Sequence, residues 1–189
     1  MADRGYDIFM YDHTIEKLPY ENKSFHWFKQ GISGINKPNE NLYTLETLIK
    51  NNHHENNSGM ILKMDVEGAE YDFLETVTPE TLKQFDQIVF EFHRNNNPAY
   101  FARSLNFLNA LNQTHQLIHI HPCGGKHINI NGKAFSNQLE ATYVLKSKYN
   151  FSYDYDPDFP LSVDSPNSPE CGDDYDPALG HWNRLVKII

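Results

Sequence analysis

Apolar and polar positions change period several times along this chain, and the sharpest change lies near its middle. Met60-Ile61-Leu62-Lys63-Met64 is an apolar run with one interruption. It is too short for a helix and suits a buried strand. Polarity then reverses at Asp65-Val66-Glu67-Gly68-Ala69-Glu70, which places three carboxylates and a glycine within six residues. Tyr71, Phe73 and Leu74 open a helical apolar face, predicting a helix over about 69–77. A strand that ends in acids and turns through a glycine into a helix is how open α/β sheets build ligand sites. The crevice lies beyond the carboxyl ends of the strands.

The remaining segments follow the same alternation. Residues 6–11 (YDIFMY) read as an aromatic strand ending at Asp12-His13-Thr14, and residues 25–32 (FHWFKQGI) as a second strand ended by Gly31 and Gly34. Leu42, Leu45, Leu48 and Ile49 recur at helical spacing, which predicts a helix over about 42–52. The polar stretch NNHHENNS breaks it. Residues 86–93 (DQIVFEFH) form a strong strand pattern closing in Glu91, His93 and Arg94. A helix is predicted over about 98–113, then strands over 116–121 and 140–146. This order implies an α/β domain over 1–149 with a mostly parallel, Rossmann-like sheet and helices on both faces. Residues 150–189 are rich in Asp, Tyr, Pro and Ser and lack an apolar period. They read as a tail that packs in part on the body, with Trp182–Ile189 apolar enough to form a terminal helix or strand.

Composition narrows the partners. The 189 residues suit a single core, and 39% hydrophobic with 13% aromatic residues keeps the chain outside the disordered class. Mean hydropathy is −0.63. A formal charge of −9 argues against nucleic-acid backbones and anionic membranes, which need a basic face. No stretch approaches a membrane span, and the acidic start lacks the basic flank and cleavage site of a signal peptide. The expectation is a soluble, cytoplasmic protein. Cys123 and Cys171 have no close spacing partner and read as unpaired thiols. Oligomeric state is not legible, although unpaired strand edges would favour self-association.

The segment LKMDVEGAEYDFLE resembles the signature of the FkbM-like methyltransferases, enzymes that use S-adenosylmethionine. Tyr11-Asp12-His13-Thr14-Ile15, Leu18-Pro19, Phe28-Lys29 and Gly31-Ile32 resemble the branch related to the methyltransferase-like 24 proteins. The resemblance implies the class I methyltransferase fold and a small hydroxylated acceptor such as a carbohydrate. It also implies an N-terminally incomplete fold. The first strand here matches the family's second, and the glycine-rich strand and loop that approach the methionine half of the cofactor have no counterpart. The 189-residue chain alone is therefore expected to bind S-adenosylmethionine weakly or not at all.

On this basis Asp12 is the candidate acceptor for ribose hydroxyls, with His13 beside it, and Gly31 and Ile32 are candidates to lie against adenine. Asp12 also reads as an ordinary turn residue, and Gly31 and Ile32 as a strand end. Asp65, Glu67 and Gly68 form the acidic turn expected beside the transferring methyl group. His93 is the candidate general base, because its ordinary pKa lies near neutrality, and Asp65 is the second candidate. Glu70 reads as an acid that offsets the helix dipole. Asp65, Glu91 and His93 also form a set that could hold a divalent metal. His119, His121 and Cys123 make a zinc triad on paper or ordinary strand-end residues, and His53-His54 a solvated loop. Two rival readings stand beside the methyltransferase: a non-catalytic relative that has lost its cofactor, and a metal-dependent hydrolase.

Overall fold

The computed structural model describes residues 1–93, 97–130, 133–155, 161–162, 164 and 185–189. The chain divides into two units, Met1–Glu55 and Asn56–Ile189.

In the first unit, β1 (Ile8–Tyr11) pairs in parallel with β2 (Phe25–Phe28). Directly opposed residues stack: Phe9 on His26 with ring centroids 4.4 Å apart, and Tyr11 on Phe28 at 5.1 Å. Such cross-strand aromatic pairs stabilise a two-stranded ribbon. The stretch expected as one strand over 25–32 is split. Its end, β3 (Gly31–Ile32), pairs instead with β4 (Leu42–Tyr43). Strand β4 occupies what the apolar spacing predicts as the start of a helix, which begins only at Leu45. That helix, α1 (Leu45–Asn51), is opened by Thr44, whose hydroxyl accepts the Thr47 N–H at 3.3 Å. Leu45, Leu48 and Ile49 are its buried face. His54 meets the Phe9 ring edge-on at 4.6 Å.

In the second unit, β5 (Met60–Met64) pairs in parallel with β6 (Phe85–Phe92). The short helices α2 (Glu70–Leu74) and α3 (Pro79–Leu82) lie between them in the chain. Helix α4 (Pro98–Thr114) leads to β7 (His115–Ile130), and β8 (Lys133–Leu145) returns antiparallel to it. The sheet order is β5-β6-β8-β7. From the tail, β9 (Phe151–Tyr155) pairs antiparallel with β10 (Leu185–Ile188). Most of the expected tail, Cys171 included, falls outside the described residues.

Alternation along β6 gives the sheet two unlike faces. Ile88, Phe90 and Phe92 are buried, and the Phe90 ring meets Phe73 of α2 and Phe107 of α4 at 6.2 and 5.5 Å. On the other face Glu91, Glu140 and His121 lie in register with one another and are polar, and Lys63 of β5 reaches Glu91 and Glu140 at 3.8 and 3.5 Å.

The class is α/β, but a mostly parallel sheet with helices on both faces is not what forms. The described strands make four separate sheets, with three parallel and three antiparallel pairings. One physical reason lies in the chain between β7 and β8. Ile130 pairs with Lys133, so only the two residues Asn131-Gly132 separate the strands. Two residues permit a hairpin and forbid the crossover that parallel strands need. An antiparallel pair also tolerates a polar face, as seen at Glu140 and His121.

Candidate functional site

Strand β5 delivers Asp65 at its carboxyl end, and the chain then makes a tight turn. Glu67 has φ +56° and Gly68 φ +109°. Glycine takes the latter value freely, whereas a glutamate in the left-handed region is uncommon and sits here between two site residues. The turn closes on the Glu70 side chain, whose Oε1 accepts the Val66 N–H at 3.2 Å. Glu70 is fully buried at the start of α2, beside Tyr71, Phe73 and Leu74. It is not a surface acid that offsets the helix dipole. Its spacing from Phe73 and Leu74, three and four residues, puts it on the apolar stripe.

His93 follows β6 and is 4% exposed. Its backbone carbonyl accepts the Tyr71 hydroxyl. Its Nδ1 lies 2.9 Å from Glu70 Oε1. Its Nε2 faces three further carboxylates: Glu67 at 3.4 Å, Glu91 at 3.5 Å and Asp65 at 3.8 Å. The hydrogen bond to Glu70 raises the His93 pKa above its ordinary value. Burial opposes the shift, and the charges of Glu70, Glu67 and Glu91 add to it. Burial pushes the Glu91 carboxyl up, with the nearby Asp65 charge, while His93 and Lys63 pull it down. Four carboxylates converging on one imidazole favour a positive charge at this point, whether a proton on His93 or a cationic ligand.

The structure thus brings Asp65, Glu67, Gly68, Glu91 and His93 together in the second unit, and adds Glu70. Glu70 also belongs to the group best spaced for a metal ion. Ligand atoms of Asp65, Glu70 and His93 lie within 4.8 Å of one another. His119 and His121 are engaged otherwise: His119 Nε2 lies 2.9 Å from Asp164, and His121 Nδ1 lies 3.5 Å from Glu140. The Cys123 side chain lies outside the described residues.

Asp12, His13, Gly31 and Ile32 belong to the first unit. Asp12 Oδ1 accepts both the N–H and the hydroxyl of Thr14, at 2.7 and 2.6 Å, and these bonds hold its carboxyl below the usual range. The residue is a half-buried turn acid. Gly31 is constrained by its own neighbours, because an added Cβ would lie 2.5 Å from His13 Nδ1 and 2.7 Å from Leu42 Cδ2. A side chain at Gly31 would therefore collide with His13 and Leu42. Ile32 is half-buried and registered with Tyr43.

A parallel strand–helix–strand crossover with an acidic turn at the carboxyl end of its first strand, followed by an antiparallel hairpin, defines an α/β domain with a cluster of titratable groups at the strand ends. The family model described as the methyltransferase FkbM domain matches residues 10–131, more than half of the chain. This chain belongs to that family, and it is a methyltransferase domain in that general sense. Neither a curated protein nor a solved structure matches it. Among the described residues, no helix is long and apolar enough to cross a membrane.

Proposed function

We propose that this chain is the catalytic domain of an S-adenosylmethionine-dependent O-methyltransferase acting on a carbohydrate or other small hydroxylated acceptor. The observation that carries the reading is His93, buried at the end of β6 with Nδ1 held by Glu70 and Nε2 turned toward Asp65, Glu67 and Glu91. When bound, the cofactor supplies a methyl group on a positively charged sulfur, which an oxygen nucleophile displaces in line. The donor set suits such a group, because three carboxylates around Nε2 favour a neighbouring cation. His93 Nε2 takes the proton of the acceptor hydroxyl as the oxygen attacks, and Asp65 steadies the resulting imidazolium. In the first unit, Asp12 has one oxygen engaged by Thr14 and a second suited to a ribose hydroxyl. The acidic balance of the chain favours a neutral acceptor over a nucleic acid.

The test is methyl transfer from labelled S-adenosylmethionine to a panel of glycans and small alcohols. It is run with the 189-residue chain and with a form extended N-terminally by a glycine-rich strand and loop. The expected outcome is that His93→Asn lowers transfer by roughly 10²–10⁴ while leaving cofactor affinity within about twofold. Undiminished transfer in His93→Asn would sink the assignment. A second reading, a metal-dependent hydrolase, is favoured by the spacing of Asp65, Glu70 and His93. Elemental analysis showing a stoichiometric divalent metal in the purified protein would promote it.

A further inference from the structure

We propose that Glu70 is a positioning residue that fixes which nitrogen of His93 faces the reacting groups. Glu70 is 0% exposed, and its Oε1 accepts the Val66 N–H at 3.2 Å while lying 2.9 Å from His93 Nδ1. With Oε1 acting as an acceptor here, as it already does toward the Val66 N–H, Nδ1 is the proton-bearing nitrogen in that contact. The neutral imidazole is thereby confined to the Nδ1–H form, and its lone pair sits on Nε2. Nε2 is the atom that faces Glu67, Glu91 and Asp65.

Two observations set this apart from a structural acid. The second oxygen of Glu70, Oε2, is buried without a hydrogen-bond partner. Burying a carboxylate with one oxygen unsatisfied is costly. An exposed glutamate would serve the dipole of a five-residue helix equally well at no such cost. The other oxygen, Oε1, ties the turn after β5 to the end of β6. Glu70 thus sets the rotation of the imidazole and the path of the acidic turn together. Helix α2 and the Tyr71 hydroxyl on the His93 carbonyl hold the backbone ends of that link. This inference rests on the reading of His93 as the base, but its first readout does not depend on methyl transfer.

The experiment is nitrogen-15 NMR of the histidine side chains in the 189-residue chain, compared with Glu70→Gln. In the unsubstituted protein, His93 above its pKa is expected to show a protonated Nδ1 and an unprotonated Nε2. In Glu70→Gln the amide can donate to Nδ1, and the population is expected to shift toward the Nε2–H form. Where transfer is measurable, kcat is expected to fall by roughly 10²–10⁴, as when a partner carboxylate becomes an amide and the tautomer is wrong. KM for the acceptor is expected to stay within about twofold. An Nε2–H form in the unsubstituted protein would overturn the proposal without recourse to any variant. So would an unchanged tautomer in Glu70→Gln. If manganese(II) chloride raises the melting temperature of the unsubstituted protein and not of Glu70→Gln, Glu70 is a metal ligand, and the positioning role is likewise overturned. Loss of transfer in every form, with the Nδ1–H form intact, would defeat the assigned reaction and leave Glu70 in its role.

Discussion

Two aspartates end parallel strands in this chain, and they live in different chemistry. Asp12 follows β1 in the first unit, is half-buried, and its carboxylate accepts two hydrogen bonds from Thr14, two residues away. Asp65 follows β5 in the second unit and stands 3.8 Å from a buried imidazole that a buried carboxylate holds. Residue type and strand-end position are the same in both. What differs is whether distant segments supply partners. Asp12 makes a local turn, whereas Asp65 joins groups from β6 and α2 that only the fold brings together. A strand-end acid acquires reactive character from what is packed behind it, not from its place on the strand.

The sharpest way to break this comparison is to remove the packing. Phe90 is fully buried and its ring meets Phe73, Phe92 and Phe107. Phe90→Ala is expected to cost about 3–5 kcal/mol in urea unfolding, through lost burial and the cavity left behind. The Asp65 cluster should be lost with it, because Glu91 and His93 follow on the same strand. A cost below about 1 kcal/mol would mean that the cluster does not depend on this core.

Much of that core was legible in the sequence, and the reasons differ by element. The Met60–Met64 strand and the acids after it stand out because an apolar run and a carboxylate cluster meet abruptly. The 98–113 helix was legible from Leu105, Leu108 and Leu111, and it runs as Pro98–Thr114. Glu70 was misjudged because dipole bookkeeping ignores burial, although its spacing to Phe73 and Leu74 carried the signal. The β7–β8 hairpin was also missed, yet Asn131-Gly132 is a strong two-residue hairpin signal. The β9–β10 pair joins Phe151 to Ile188, and nothing local in either segment announces a partner so far along the chain.

The histidines extend the comparison. His93 and His115 are both buried, but His93 lies among four carboxylates while the hydrogen bonds of His115 go to neutral groups, with Asp86 and Lys146 acting on it in opposite senses. His115 Nδ1 lies 2.8 Å from the Thr114 hydroxyl, and its Nε2 donates to the Phe85 carbonyl at 2.9 Å. Burial lowers the His115 pKa, and the Phe85 carbonyl offsets part of the shift. A base whose folded pKa is depressed adds stability above its unfolded pKa, near 6.5. That stability drains away as pH falls from there through the folded value. The melting temperature is expected to decline below about pH 6.5, by less than the Phe90→Ala loss. His115→Gln should flatten the decline. An equally steep acid limb in His115→Gln would assign the loss to other groups.

The smallest expected effect falls on the first aspartate and isolates what the comparison claims. The Asp12 carboxylate takes its hydrogen bonds from its own turn, so Asp12→Ala should change stability by no more than about 0.5 kcal/mol. If Asp12 does take ribose hydroxyls, the same substitution should weaken cofactor binding by roughly 10–100-fold, since one lost hydrogen bond to a charged acceptor is worth about 1.5–3 kcal/mol. Stability and binding then separate at this residue, as they cannot at Glu70, where the fold and the chemistry use one oxygen. Unchanged affinity in Asp12→Ala would return Asp12 to the plain turn residue that its hydrogen bonds already describe, and would leave the second unit as the sole bearer of the chemistry.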